Sequence, residues 1–177
     1  MDSIRLRSYD DSEMRLRNLP LVVVDSSCFL AYLLDEDRGE NRADRATYLF
    51  AGHNRDHIVI MPAIARLETF GKVQKGPNGA DGNNRERMES NLAAARNWLD
   101  NAEFLIGMFD DVVADRAIDL MPEFGLKGMD ASILALAMIH GATKLYTFDR
   151  DLLRVGVSVP GLSVEWPPMP SQPTLIP

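Results

Sequence analysis

The sequence has little cysteine, few aromatic residues and too little positive charge to balance its acids. One cysteine, Cys28, stands among 177 residues, so no disulfide can form within the chain and a reducing compartment suits it. Cys28 lies in an apolar run and reads as a small core residue. Lys and Arg number 19 against 26 Asp and Glu, a formal net charge of -7. That balance works against the simple electrostatic binding of nucleic acid, which usually leaves a basic footprint. No apolar run is long enough to span a bilayer, and Met1-Asp2-Ser3 opens on mixed charge rather than a secretory h-region. A cytoplasmic protein with no membrane partner is therefore expected. No glycine-rich phosphate loop of the GxxxxGK[ST] form occurs, and no segment repeats with a period of about 20–50 residues.

At 46% hydrophobic residues the chain can bury one substantial core. Leu21-Val22-Val23-Val24 is a continuous, largely β-branched run, the pattern of a strand buried on both faces. His57–Met61, Phe104–Met108, Lys144–Phe148 and the stretch near Leu162–Glu165 read as four more strands. Helices fall between them. The first is capped by Ser26 or Ser27 and runs to Leu34; the second spans about Asn41–Phe50. The third runs from Ala63 to about Gln74, with Pro62 at its first position and Ile64, Leu67 and Gly71 on its apolar side, where Glu68 also falls. A long helix from about Arg85 to Asp100 buries Met88, Leu92, Ala95, Trp98 and Leu99. Asp110 or Asp111 caps another that carries Val112, Val113, Ile118 and Leu120 and is closed by Pro122 and Gly125. Asp130 stands where an N-cap should, before an apolar helix that ends at a left-handed Gly141.

Strands alternating with helices predict a three-layer α/β/α sandwich around a mainly parallel sheet of about five strands, wound right-handed. The domain occupies 21–165. Before it, residues 1–20 form an N-terminal extension whose Arg5-Leu6-Arg7 and Arg15-Leu16-Arg17 suit a small hairpin or a basic arm. After it, the tail 166–177 is too rich in proline for regular structure. Lys75–Asn84 is a loop by its Gly, Pro and Asn content, expected to move.

Four acids fall at telling places. Asp25 ends the first strand, Asp149 ends the fourth, Asp130 begins a helix, and Glu68 lies early in a helix launched from another strand end. Singly, each has an ordinary explanation: Asp25 and Asp130 as caps, Asp149 as a turn residue, Glu68 as a partner of Lys72. Jointly, all four can converge on one rim of the sheet. Carboxylates so gathered repel one another unless a divalent cation neutralises them. Oxygen-only ligation selects a hard ion, Mg²⁺ or Mn²⁺, whose remaining ligands favour phosphate, and so phosphodiester chemistry. A bound cation would also invert the potential of the pocket and answer the objection from net charge. Candidate phosphate contacts are Arg66, Lys72, Lys75, Lys127, Arg150 and Arg154, though each reads more readily as a solvated surface charge. His53 and His57 have zinc-like spacing but straddle a turn, so zinc is not expected. A phosphoryl-accepting role for Asp25 lacks the second aspartate two residues on, since position 27 is Ser.

Val22-Val23-Val24-Asp25-Ser26-Ser27, Glu68 within Ala65-Arg66-Leu67-Glu68, Met129-Asp130-Ala131 opening an Ala-rich helix, and Thr147-Phe148-Asp149-Arg150-Asp151 occur in that order. Together they resemble the PIN-domain nucleases, and in pattern the VapC-type toxins of bacterial and archaeal toxin–antitoxin pairs. The resemblance covers Leu21 to Glu165. It implies a PIN-like fold and a metal-dependent endoribonuclease that hydrolyses RNA phosphodiester bonds. It implies one or two Mg²⁺ or Mn²⁺ ions held by Asp25, Glu68, Asp130 and Asp149, with Ser26 and Thr147 assisting and Asp151 a fifth carboxylate. It further implies a homodimer and, for a toxin, an antitoxin protein that reaches into the acidic pocket. The N-terminal arm, the 76–84 insertion and the Pro-rich tail depart from the compact toxins. The alternative reading is a catalytically silent PIN-like binding module or scaffold.

Overall fold

The computed structural model describes residues 18–36, 39–156 and 158–170; the expected hairpin or arm at 1–17 and the tail beyond 170 lie outside them. Strand β1 (Leu21–Val24) is central. It pairs in parallel with β2 (Ile58–Pro62) on one side and with β4 (Lys144–Tyr146) on the other. β3 (Leu105–Gly107) extends the sheet beyond β2, and β5 (Ser163–Glu165) extends it beyond β4. The order is β3-β2-β1-β4-β5, every pair parallel, and the expected five-stranded α/β/α arrangement is borne out. Around the strands run α1 (Ser26–Leu33), α2 (Arg42–Ala51), α3 (Ala63–Val73), α4 (Arg85–Ala102), α5 (Asp111–Phe124), α6 (Gly128–Ile139) and α7 (Arg150–Val155).

Side chains alternate across a strand, so the valine run serves two cores at once. Val23, Ile60 and Leu145 pack against α5, α6 and α7 through Leu120, Leu134 and Leu152. Val22, Val24, Val59, Met61 and Tyr146 pack on the other face against Phe29, Leu49, Phe50 and Phe104. Every residue of α6 from Ala131 to Ala137 is buried, as an all-round apolar helix should be. Cys28 is buried in the second core as expected, its thiol pushed up by desolvation. Phe29 anchors an aromatic layer, stacked on Phe50 at 5.0 Å and edge-on to Phe104 at 5.9 Å and Trp98 at 6.4 Å.

Several local expectations are corrected. Asp130 is not the cap of α6: Lys127 holds that position and Asp130 falls in the first turn, because the chain enters its helical turn at Gly128. Gly141 is left-handed as expected, at φ +62°. Of the caps the sequence offered α1, Asp25 is the one taken, its carboxylate accepting the Ser27 N–H, and Ser26 and Ser27 are not. Pro62 ends β2 and occupies the cap position of α3 instead of its first turn. The buried row of α3 is Ala65, Thr69 and Val73; Leu67 is 74% exposed. Small residues at one helix row let α3 sit close to its neighbours, and Leu67 is turned away. Ala95 and Leu99 are the buried residues of α4, with Met88, Leu92 and Trp98 only half-buried. α5 is capped by Asp110, which accepts from Val113 N at 3.0 Å. Pro122 lies inside α5, and Val113, Ala117 and Leu120 carry its buried face while Val112 and Ile118 are exposed.

The 75–84 segment holds a 3₁₀ turn at Pro77–Gly79. Asp81 ties it down: its N–H donates to the Lys75 carbonyl at 2.8 Å and its carboxylate accepts from Arg87 and Asn91. Trp166–Pro170 has no regular structure, as expected. Trp166 nevertheless packs on Phe148 and under Arg42 and Arg45, and Arg45 Nη1 donates to the Pro167 carbonyl at 2.8 Å. No helix among the described residues is long and apolar enough to cross a membrane.

Phe29→Ala removes the ring on which three aromatics rest and is expected to cost about 3–5 kcal/mol. Leu67→Ala, on a solvent-facing row, is expected to stay within about 0.5 kcal/mol. Urea unfolding of both variants checks the contrast.

Candidate active site

β1 and β4 are neighbours in the sheet but lie more than a hundred residues apart in the chain. After β3 the chain crosses to the far side of β1, so the winding reverses between β1 and β4. At such a reversal the connections splay apart at the carboxyl ends of the strands and leave a crevice. Asp25 follows β1 and Thr147 to Asp149 follow β4, and the two ends are joined by the Asp25 N–H donating to the Tyr146 carbonyl at 3.0 Å.

Asp25 is buried and well satisfied. Its Oδ2 accepts from Ser27 Oγ at 2.6 Å, Thr147 Oγ1 at 3.0 Å and Ser27 N at 3.2 Å. Ser26 Oγ donates to Glu68 Oε2 at 2.7 Å and lies 3.3 Å from Asp25 Oδ1, which brings the α3 acid to the same rim. The other Glu68 oxygen accepts from Lys72 Nζ at 2.6 Å. Asp149 caps α7: its Oδ1 accepts from Asp151 N at 2.7 Å and Leu152 N at 3.3 Å, and its own N–H donates to Thr147 Oγ1 at 2.9 Å. Asp130 is half-buried in the first turn of α6, and its carboxylate takes no hydrogen bond from the described residues.

The electrostatics record the crowding. Burial pushes the Asp25 carboxyl up, the hydrogen bonds from Ser27 and Thr147 oppose it, and the charge of Glu68 pushes the same way as burial. Asp130 is pushed up to about 6, first by burial and then by Asp149, Asp25 and Asp151, with Lys127 pulling weakly down. A helix N-terminus ordinarily favours an anion; here desolvation and three like charges outweigh it. The expected site residues Asp25, Asp130, Asp149 and Asp151 thus lie within electrostatic reach of one another, and Glu68 joins them through Ser26. Among the described residues, however, no three His, Cys, Asp or Glu side chains already stand arranged to hold a metal ion. Glu68 is turned to Ser26 and Lys72, and half of Asp149 is turned to its own helix.

Two contributors were invisible as site residues in the sequence. Ser27 read only as a cap, yet its hydroxyl donates to Asp25 and accepts the Phe148 N–H at 2.9 Å, lacing the ends of β1 and β4 together. Arg42 lines the same cavity as Ser27, Asp149 and Asp151, about 450 Å³ in volume. It is held by Glu40 and lies over the Phe148 ring at 5.0 Å. The Asp-x-Ser spacing was a usable signal for Ser27; nothing local marks Arg42. His53 Nδ1 accepts from Val59 N at 3.0 Å, and His57 Nε2 lies 3.1 Å from the Leu49 carbonyl.

The family model of the PIN domain matches residues 22–158. Among solved structures, VapC20 of Mycobacterium tuberculosis, a sarcin-ricin loop cleaving toxin, superposes with a TM-score of 0.56 at 20% identity. The match covers 76% of this chain and 95% of that one. A toxin–antitoxin complex from Klebsiella pneumoniae gives 0.53 at 20% identity over 84% of this chain and 99% of its own. VapBC2 of Rickettsia felis, bound to a DNA fragment from their promoter, gives 0.54 at 14% identity over 82% and 98%. At these identities the likeness is one of fold. No curated protein matches the chain.

The crowding of Asp130 has a sign that can be read in stability. Because its folded pKa of about 6 lies above the ordinary 3.8, the folded state is penalised wherever Asp130 is charged, above about pH 6. The penalty is relieved as pH falls toward 4 and the folded state takes up the proton first. With chelator present, Asp130→Asn is expected to be more stable than wild type at pH 7.5, on the order of 1 kcal/mol after allowing for solvent screening. The difference should close as pH falls through 6 to 4; denaturant midpoints across that range check it.

Proposed function

The chain belongs to the PIN domain family, and on that premise we propose that it is a metal-dependent endoribonuclease that hydrolyses RNA phosphodiester bonds, the toxin of a toxin–antitoxin pair. One observation carries the reading. A carboxylate in the first turn of α6 takes no hydrogen bond from the described residues and is pushed up to about 6 by burial and by three other acids on the same rim. Crowding of this kind is relieved by taking up a proton or by a bound cation, and at neutral pH a divalent cation would offset it.

The donor set fits a hard ion. Every candidate ligand is a carboxylate oxygen, Asp130 is uncommitted, and Asp149 accepts its hydrogen bonds from the described residues through Oδ1 alone. Asp25, Glu68, Asp130 and Asp149 would hold Mg²⁺ or Mn²⁺, with waters filling the positions that the side chains do not reach. When bound, the ion supplies acidification of water and neutralises the charge that builds on the phosphate. The chain's own residues do the positioning. Ser27 and Thr147 fix Asp25 in one orientation, Ser26 couples Glu68 to it, and Asp151 adds a fifth negative charge at the rim. Lys72 balances Glu68.

RNA as substrate is supported by the likeness to the sarcin-ricin loop cleaving toxin of Mycobacterium tuberculosis, and an antitoxin partner by the likeness to the Klebsiella and Rickettsia complexes. A homodimer is supported by the outer edge of the sheet. Leu105 and Ile106 of β3, with Met108 and Phe109 beyond it, are exposed there as an apolar row that an edge strand seldom leaves bare. A silent binding module is the second reading, favoured by the lack of a ready three-ligand arrangement among the described residues.

Purified protein with Mn²⁺ is expected to cut a mixed RNA substrate. Asp25→Asn and Asp130→Asn should each lower the rate by on the order of a hundredfold, the scale of losing one pre-organised charged contact at a transition state. Mn²⁺ titration by calorimetry should weaken in parallel. Wild type that binds no Mn²⁺ and cuts no RNA would leave the silent module standing.

A further inference from the structure

The cavity lined by Asp149 and Asp151 does not end at them. A second cavity of about 270 Å³, lined by Lys75, Gly76, Asn78 and Gly79, shares Leu30, Glu36 and Lys72 with the first. The two form one trough between α1 and α3. It begins at Asp149 and Asp151 and ends on the Pro77–Gly79 turn, inside the 76–84 segment read from the resemblance as an insertion. Charge is mixed along its length: Asp149, Asp151 and Glu36 stand with Arg42, Arg150 and Lys72 in the first stretch, and Glu36 stands with Lys72 and Lys75 in the second. Lys72 is committed to Glu68, whereas Lys75 makes no ion pair with the described residues.

Lys75 also stands on a fixed base. Its N–H donates to the Lys72 carbonyl at 3.0 Å, and its own carbonyl accepts from Asp81 N at 2.8 Å. Asp81 in turn is held by Arg87 and Asn91. The next residue, Gly76, has φ +68°, and a Cβ there would lie 2.5 Å from Asp81 Oδ2, so only glycine allows the chain to turn so close to that carboxylate. Beyond it Asn78 and Gly79 are exposed; Pro77 has no N–H and the Gly79 N–H donates to the Gly76 carbonyl at 3.1 Å, so among the described residues of the turn Asn78 is the one whose N–H is left to a ligand.

We propose that this trough is the track of the RNA strand on one side of the cut, with Lys75 and the Pro77–Gly79 turn forming a phosphate subsite contributed by the insertion. The inference rests on the nuclease reading and adds to it a direction and a footprint. A ligand with one phosphate needs only the acidic end. A polyanion with evenly spaced phosphates meets both ends at once, the cation at the rim and the free ammonium at the turn.

Steady-state cleavage of one RNA by wild type, Lys75→Ala and Lys75→Glu tests it, beside substrates trimmed on either side of the cut. Lys75→Glu is expected to raise KM about tenfold on the untrimmed RNA, and Lys75→Ala to lower the slope of log KM against log salt by about 0.7, one single-strand phosphate contact. Trimming one side should abolish the difference between wild type and variants; trimming the other should preserve it. Gly76→Ala, which disturbs the turn without removing charge, should reproduce the KM effect in part, with folding checked by circular dichroism. Wild type that cuts, with variants unchanged in KM and salt slope or impaired equally on every substrate, overturns the subsite and leaves the nuclease reading intact. If wild type cuts no RNA, the nuclease reading fails. Binding of a fluorescent RNA strand in chelator then decides: loss of binding in Lys75→Glu retains the trough as an RNA site, and equal or absent binding overturns it.

Discussion

The structure depends on a buried carboxylate shared between two strand ends. Asp25 could not be buried as a bare anion, since an unpaired charge in the interior costs several kcal/mol. Two hydroxyls and a backbone N–H make the burial tolerable, and those donors come from both sides of the switch point: Ser27 after β1, Thr147 after β4. Ser27 then accepts from Phe148 N and Thr147 from Asp149 N, so the satisfaction of one acid sets the path of the chain toward another. Register between β1 and β4, the cap of α1 and the approach to α7 are all settled by one small polar network. Such a network specifies geometry because every member is committed.

Against that order stands Asp130, which no donor among the described residues satisfies and which three acids repel. Its cost is local, because the helix that carries it is secured elsewhere: residues Ala131 to Ala137 are wholly buried and supply the packing that holds the first turn in place. A fold with a large apolar α6 tolerates one destabilised carboxylate at its tip. The same balance recurs at Glu68, drawn to the rim by Ser26 and compensated by Lys72 outside it. Satisfied and unsatisfied acids therefore sit side by side, the first orienting and the second left open to a ligand, the division expected where charge is kept for binding rather than for stability.

Much of this was legible in the sequence. The valine run, the apolar α6 and the alternation of strands with helices rest on period and composition, which tertiary contacts seldom overturn in buried elements. Asp25, Asp130 and Asp149 were legible because each stands at or near an element boundary, and Glu68, in the middle of α3, because a carboxylate fell on a helix side that read as apolar. What escaped was finer. The cap of α1 was left among Asp25, Ser26 and Ser27 because Asp and Ser both cap well, and only the β1–β4 contact decides among them. The inward face of α3 was misread because Leu67 is the larger apolar residue, while close packing chose the row of Ala65 and Thr69. Arg42 could not be found at all: its place beside the cavity comes from Phe148 and Trp166, more than a hundred residues away in the chain.

The acidic balance of the whole chain and the proposed RNA substrate are reconciled by where charge sits rather than by how much there is. A net charge of -7 gives no broad steering toward a polyanion. On the proposed reading, recognition is short-ranged: it would be made by a cation held on the rim and by a few fixed positive groups along one trough. Arg42 suits that regime: two carboxylate contacts to Glu40 and two aromatic rings leave its guanidinium little freedom, so it loses little entropy on meeting a phosphate. A protein that relied on long-range attraction would need many mobile lysines; one that relies on contact can be acidic overall, provided its few cations are built in.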